Sequence, residues 1–149
     1  MIKPNDVVRE LKGISHSINK IAKEVGYLEY GELCDLDIDR TLPEDIFYKR
    51  EIDVILDALG DIQGKIDYLY LPIKYEGELF RNVDGRYETE RGDYYTSGSV
   101  IEYMSNDERQ EDYPFWRKSR VEHNGVDYCI VGEPDLNMYG LKVRVRRFE

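Results

Sequence analysis

Two runs of apolar residues that step alternately by four and three constrain this chain more than any other feature. The first is Val7, Leu11, Ile14, Ile18, Ile21, Val25 and Leu28; the second is Tyr48, Ile52, Ile55, Leu59, Ile62, Ile66 and Leu69. That spacing draws one narrow seam along an α-helix and does not fit the two-residue alternation of a strand. Pro4 suits a helix first turn, Asp6 complements its positive end, and Gly31 falls just past the expected end near Tyr30. Thr41-Leu42-Pro43-Glu44 predicts a capped start for the second helix, with Thr41 and Glu44 as reciprocal caps, and Leu71-Pro72 stops it. A strict seven-residue period over two helices of about 25 residues predicts an antiparallel two-helix coiled-coil hairpin over residues 1–72. Phe47, Val54, Leu56 and Tyr70 widen the second stripe. The hairpin therefore needs a further cover, from a β-domain or from a second copy as a homodimer through the helices.

After Pro72 the pattern changes to short alternating segments between turn residues. Asp84-Gly85 and Asn124-Gly125 are hairpin signals, because these residues accept positive φ. The predicted strands are 77–83, 86–91, 99–104, 115–123, 126–132 and 140–148. Six short antiparallel strands predict a small SH3-like barrel over residues 73–149, so the fold class is α+β. Alternation assigns Phe115, Val121, Val126, Tyr128, Ile130, Leu141, Val143 and Val145 to the inside.

The opposite faces carry the candidate chemistry. Trp116, Lys118, Arg120 and Glu122 share one face of the fourth strand; Lys142, Arg144, Arg146 and Phe148 share one face of the last. Cations beside a ring are the means by which single-stranded nucleic acids are held. Glu78, Glu88, Glu90 and Glu102 are expected to neutralise those cations as cross-strand pairs. Tyrosine clusters at Tyr94-Tyr95 and Tyr113 add a second expectation, an aromatic patch beside the charged loop 105–112. The candidate binding surface is thus Tyr94, Tyr95, Tyr113, Trp116, Lys118, Arg120, Arg144 and Arg146.

The formal net charge is −10 and both halves are acidic, which is not the footprint of a duplex-nucleic-acid binder. No apolar run reaches transmembrane length and no charged-then-apolar leader opens the chain, so a soluble cytoplasmic protein is expected. Cys34 and Cys129 are isolated and predict free thiols. Asp35, Asp37 and Asp39 begin like a calcium loop, but Arg40 and Ile46 stand where glycine and a bidentate glutamate belong, so no metal is expected. There is no phosphate-binding or dinucleotide motif, and Ser97 lacks a nucleophile elbow. His16 and His123 stand alone. No catalytic residue and no cofactor are expected.

Short pieces in a fixed order carry one resemblance: Gly77-Glu78-Leu79, Gly85-Arg86-Tyr87-Glu88, Tyr95 through Glu102, Trp116, Arg120-Val121-Glu122 and Gly140 through Arg146. Over roughly residues 75–148 the chain resembles a small uncharacterised β-domain family of Gram-positive bacteria, their phages and mobile elements, with an N-terminal helical hairpin as companion. The resemblance implies a compact β-domain and a mobile-element setting, and no site residues. The leading functional expectation is a non-catalytic protein-interaction module with an unidentified protein partner. The alternatives are an acidic inhibitor of a nucleic-acid-binding defence protein and a single-stranded nucleic-acid binder.

Overall fold

Both seven-residue rows fold as helix, but only half of each row is used to hold the helices together. The computed structural model describes residues 1–148 and divides into two compact units, Met1–Leu71 and Pro72–Glu149. In the first unit α1 spans Pro4–Glu24, a short α2 spans Tyr27–Tyr30 and α3 spans Pro43–Tyr70. The first helix ends earlier than its apolar row because Gly26 turns left-handed, with φ of 76°. The Val25 carbonyl there accepts the Asp35 N–H at 3.1 Å. A Cβ on Gly26 would stand 2.9 Å from the Asp35 carboxylate, so the break needs glycine for both shape and space.

The capping box expected at Thr41 is not formed. Leu42 holds the cap position with no side-chain cap, and Pro43 opens the helix. Thr41 instead gives its N–H and hydroxyl to Asp39 Oδ1, at 2.9 and 2.6 Å. Asp45 takes the Asp39 N–H at 2.9 Å. A side-chain turn at Asp39 therefore outcompetes the Thr41 cap.

The helices run antiparallel, as their cross-links show. The Tyr70 hydroxyl donates to the Val8 carbonyl, Ser15 to Asp67 at 2.7 Å, Gln63 to the Ser15 carbonyl at 3.3 Å, and Tyr27 to Asp57. Ser15, Ile18 and Ala22 are buried on α1, and Leu56 and Ile66 on α3. Leu11, Val25, Ile52 and Leu59 are half-buried beside them. The contact is itself a four-and-three seam, Leu11, Ser15, Ile18, Ala22 and Val25 with Ile52, Leu56, Leu59, Gln63 and Ile66, and it shares only alternate members with the predicted rows. Val7, Ile14, Ile21 and Leu28, and Tyr48, Ile55, Ile62 and Leu69, stay exposed.

The second unit is antiparallel sheet, so the chain is α+β. Its strands do not close into a barrel. A five-stranded sheet has the order β1 (Ile73–Glu78), β8 (Lys142–Arg146), β5 (Val100–Ser105), β6 (Phe115–His123) and β7 (Tyr128–Ile130). A separate three-stranded sheet is made of β2 (Phe80–Arg81), β3 (Tyr87–Glu88) and β4 (Tyr94–Tyr95). The last strand enters between β1 and β5, which leaves β1 and β7 as separate edges. The Asp84-Gly85 hairpin pairs only two residues a side. It forms a small layer instead of a barrel wall.

The predicted strand 77–83 is split at Leu79, which is buried while its N–H and carbonyl bond Leu141 and Gly140. Val126, expected inside, is exposed; it lies in a turn where the Asn124 side chain accepts the N–H groups of Val126 and Asp127. Gly77 has no room for a Cβ, because the Tyr75 ring lies across it.

The core of this unit lies between the two sheets. Tyr87 and Tyr95 of the small sheet meet Ile101, Tyr103, Val121, Ile130 and Val143 of the large one, with Leu79 and Met138 closing the gaps. Burying tyrosine requires a partner for its hydroxyl. Tyr103 donates to Glu133, and Tyr87 donates to Asp127 at 2.8 Å. Burial pushes the Tyr95 phenol up to about 12. Burial first, then a hydrogen-bonded carboxylate, pushes Tyr87 and Tyr103 up as well.

An unfolded tyrosine ionises near pH ~10. These folded values lie above that, so their contribution to stability is complete below the unfolded value and disappears as pH rises through the folded ones. Titration followed at the phenolate absorbance should show a late-ionising class among the thirteen tyrosines, released together with the β-sheet circular dichroism. All thirteen ionising together with the sheet intact would contradict this core.

Candidate functional site

The predicted basic face forms on the outer side of the five-stranded sheet, and an acid sits at its centre. Register places Glu102 of β5 opposite both Lys118 of β6 and Arg144 of β8, with Met104 opposite Trp116 and Val100 opposite Arg120. One β-strand therefore separates the two basic strands, and it supplies the countercharge. Arg144 Nε lies 2.5 Å from Glu102 Oε1 and Arg146 Nε lies 2.6 Å from Oε2. The Glu102 side chain is only 5% exposed, so both oxygens are taken up by charge-assisted bonds out of reach of bulk water. The Arg144 guanidinium also stands 4.5 Å over the Trp116 ring, and Lys142 Nζ stands 5.7 Å from it. Trp116 is half-buried, with the Arg144 cation already over its ring. Arg120 is exposed and pairs with Glu122 at 3.7 Å.

Of the four acids expected to pair with these cations, Glu102 forms ion pairs to two of them. Glu78 stands opposite Lys142, and Glu76, which strand alternation did not single out, stands opposite Arg144. Glu88 instead belongs to the small sheet and accepts the Asn82 amide at 2.8 Å, and Glu90 lies just past β3.

The tyrosine patch does not assemble. Tyr95 is buried in the core and faces no partner. Tyr94 is exposed on the outer side of the small sheet, with Arg86 5.4 Å over its ring. Tyr113 is exposed in the loop before β6. The eight predicted residues thus fall into a salt-bridged sheet face and two separate rings.

A polar cluster that the strand patterns do not reveal lies at the end of β5. The Ser105 hydroxyl donates to Glu133 at 3.1 Å beside the Tyr103 hydroxyl. Arg117 stands 3.3 Å from Glu133 and 3.4 Å from Asp107. Arg109 hydrogen-bonds Asp107 at 2.9 Å, and that bond is the first cause holding the Asp107 carboxyl below the usual carboxylate range. No buried side-chain polar atom among the described residues lacks a hydrogen-bond partner, and no histidine takes part in the cluster. The cluster pins the loop that follows β7, and its key residue, Glu133, lies in that loop outside any periodic pattern.

The remaining feature is the hairpin. Among its exposed apolar residues are Ile14, Ile21, Ile55 and Ile62, each near half exposure. The Phe47 ring stands edge-on to Tyr48 at 5.8 Å. Gly60 and Gly64, one turn apart on α3, face open space. Cys34 is exposed in the loop between α2 and α3, and Cys129 is half-buried on β7. Asp39 is committed to Thr41. No group of three or more His, Cys, Asp or Glu side chains that could hold a metal ion occurs among the described residues, and none of their helices is long and apolar enough to cross a membrane.

The chain is thus an α+β protein in which a helix pair accompanies a two-sheet β-unit. Residues 77–145, from the end of β1 into β8, match the model of a family described as Domain of unknown function (DUF5348). No curated protein and no solved structure matches the chain.

Replacing Glu102 by alanine should cost about 3 kcal/mol, because it removes the buried carboxylate that Arg144 and Arg146 share. Arg120→Ala, in an exposed pair, should change stability by no more than ~0.5 kcal/mol. Urea unfolding followed by fluorescence of Trp116, the one tryptophan, measures both. Equal effects would contradict the central role of Glu102.

Proposed function

We propose that this protein is a non-catalytic, cytoplasmic protein-interaction module whose helical hairpin supplies the docking face. One observation carries this: half of each seven-residue row is left in solvent by the packing of α1 on α3. Large aliphatic side chains at regular spacing, exposed over the length of a helix pair, mark an interaction surface. On the sheet face, by contrast, Glu102 already occupies Arg144 and Arg146, which weighs against a single-stranded nucleic-acid binder. A second interaction reading has its own support. On α3 seven acidic side chains face three basic ones, which would suit an inhibitor lodged in a basic groove of a defence protein from a mobile-element setting.

Site-specific photo-crosslinkers test the docking face. Placed at Ile21 or Ile62, they should give covalent protein adducts in the source cells. Placed at Lys20 or Asp53, on the far sides of the same helices, they should give none. Adducts that ignore position, or none from any position, would reject the proposal.

A further inference from the structure

The occupant of that face can be narrowed from its geometry. Each exposed residue sits three positions after one packed residue and four before the next: Leu11–Ile14–Ile18 and Ile18–Ile21–Val25 on α1, Ile52–Ile55–Leu59 and Leu59–Ile62–Ile66 on α3. At about 100° per residue the exposed line lies roughly 60–70° around each helix from the packed line, in the same rotational sense on both. In an antiparallel pair, equal offsets of the same sense bring the two lines to one side. Val7, Ile14 and Ile21 therefore share a single face with Tyr48, Ile55 and Ile62.

Each helix thus carries two apolar lines, one for its own partner and one turned aside. A helix in a four-helix bundle needs that arrangement, because it touches two neighbours. At roughly half exposure, the six residues and the flanking Phe47 offer ~700 Å² of side chain, close to the ~800 Å² that each partner buries in a standard interface. A two-fold axis lying in the plane of the face would pair it with its own image, and such a patch meets the requirement of an isologous contact.

Resting on the interaction proposal above, we infer that the occupant is a second copy of this chain, docked hairpin to hairpin as a two-fold four-helix bundle. Residues 1–71 carry nine basic and fifteen acidic side chains, a net of −6. Two such hairpins repel at long range and hold together by apolar contact, so salt should strengthen their union. A basic partner on the same face would be weakened by it.

Light scattering on the full chain should give twice 17.6 kDa, with the dimer tightening from about 50 mM to about 500 mM salt. The double variant Ile21→Glu with Ile62→Glu should run at 17.6 kDa with unchanged circular dichroism. Independently of how that variant folds, the crosslinker at Ile21 in the purified wild-type chain should give an adduct of twice the chain mass, and the crosslinker at Lys20 should not. A wild-type monomer up to ~100 μM would overturn the inference. If its Ile21 and Ile62 crosslinkers still captured a different protein in cells, the interaction proposal would stand without it. A dimer indifferent to the double variant, with no Ile21 adduct, would overturn the assignment of the face.

Discussion

A pair of helices can turn only one apolar line of each toward the other, and the rest of the hairpin depends on that limit. Here the packed line runs through Ile18, Ala22, Leu56 and Ile66. A bond from Ser15 to Asp67 and one from Gln63 to the Ser15 carbonyl fasten its centre. The fully buried apolar set of this unit is small, with Leu33 from the connecting loop completing it. At ~25 cal/mol per Å², removing the exposed half of an isoleucine from water is worth about 2 kcal/mol. A line of such residues left in solvent is a large unused contribution for a unit whose own core is thin. That contribution is available to whatever covers the face.

The β-unit solves a different problem. Its small-sheet strands are two residues long and cannot hold position by their ladders alone. Tyrosines span the gap between the layers, and their hydroxyls end on carboxylates that anchor turns: Tyr87 on Asp127, Tyr103 on Glu133. The central strand β5 is bracketed by acids with different tasks. Glu102 gathers two arginines on the outer face, and Glu133 gathers a tyrosine, a serine and an arginine beyond the inner one. Each acid leaves its donors satisfied, and such a network favours one arrangement of the strands.

The helices were legible because a seven-residue period has one structural meaning, and Pro72 marks a real change of pattern. Which half of each row would face the partner was not legible. That choice turns on Ser15 and Ala22 of α1 and Leu56 and Gln63 of α3, which lie outside the rows and complete the packed seam. The strands were legible where alternation was long, as in Phe115–His123, and illegible where two residues suffice, as in Tyr94–Tyr95. Val126 alternates correctly yet lies in a turn, because Asn124 offers its neighbours a local acceptor stronger than the ladder. The basic face was visible from alternation. Its neutralisation by Glu102 was expected, but the insertion of β5 between the two basic strands is a matter of topology, which alternation does not encode.

Those two outcomes together decide where on this chain binding is to be sought. Charged side chains that already bond each other gain little from a ligand, since the ligand must first break those bonds and then replace them at equal strength. The outer sheet face, with Arg144 and Arg146 on Glu102 and Arg144 over Trp116, is in that position. Apolar side chains in water are in the opposite one: they have no competing partner to give up, and covering them releases solvent at once. The hairpin face bears Ile14, Ile21, Ile55 and Ile62 in solvent. These energetics support the proposed docking face on the helices over the aromatic and basic sheet surface that first draws the eye in the sequence.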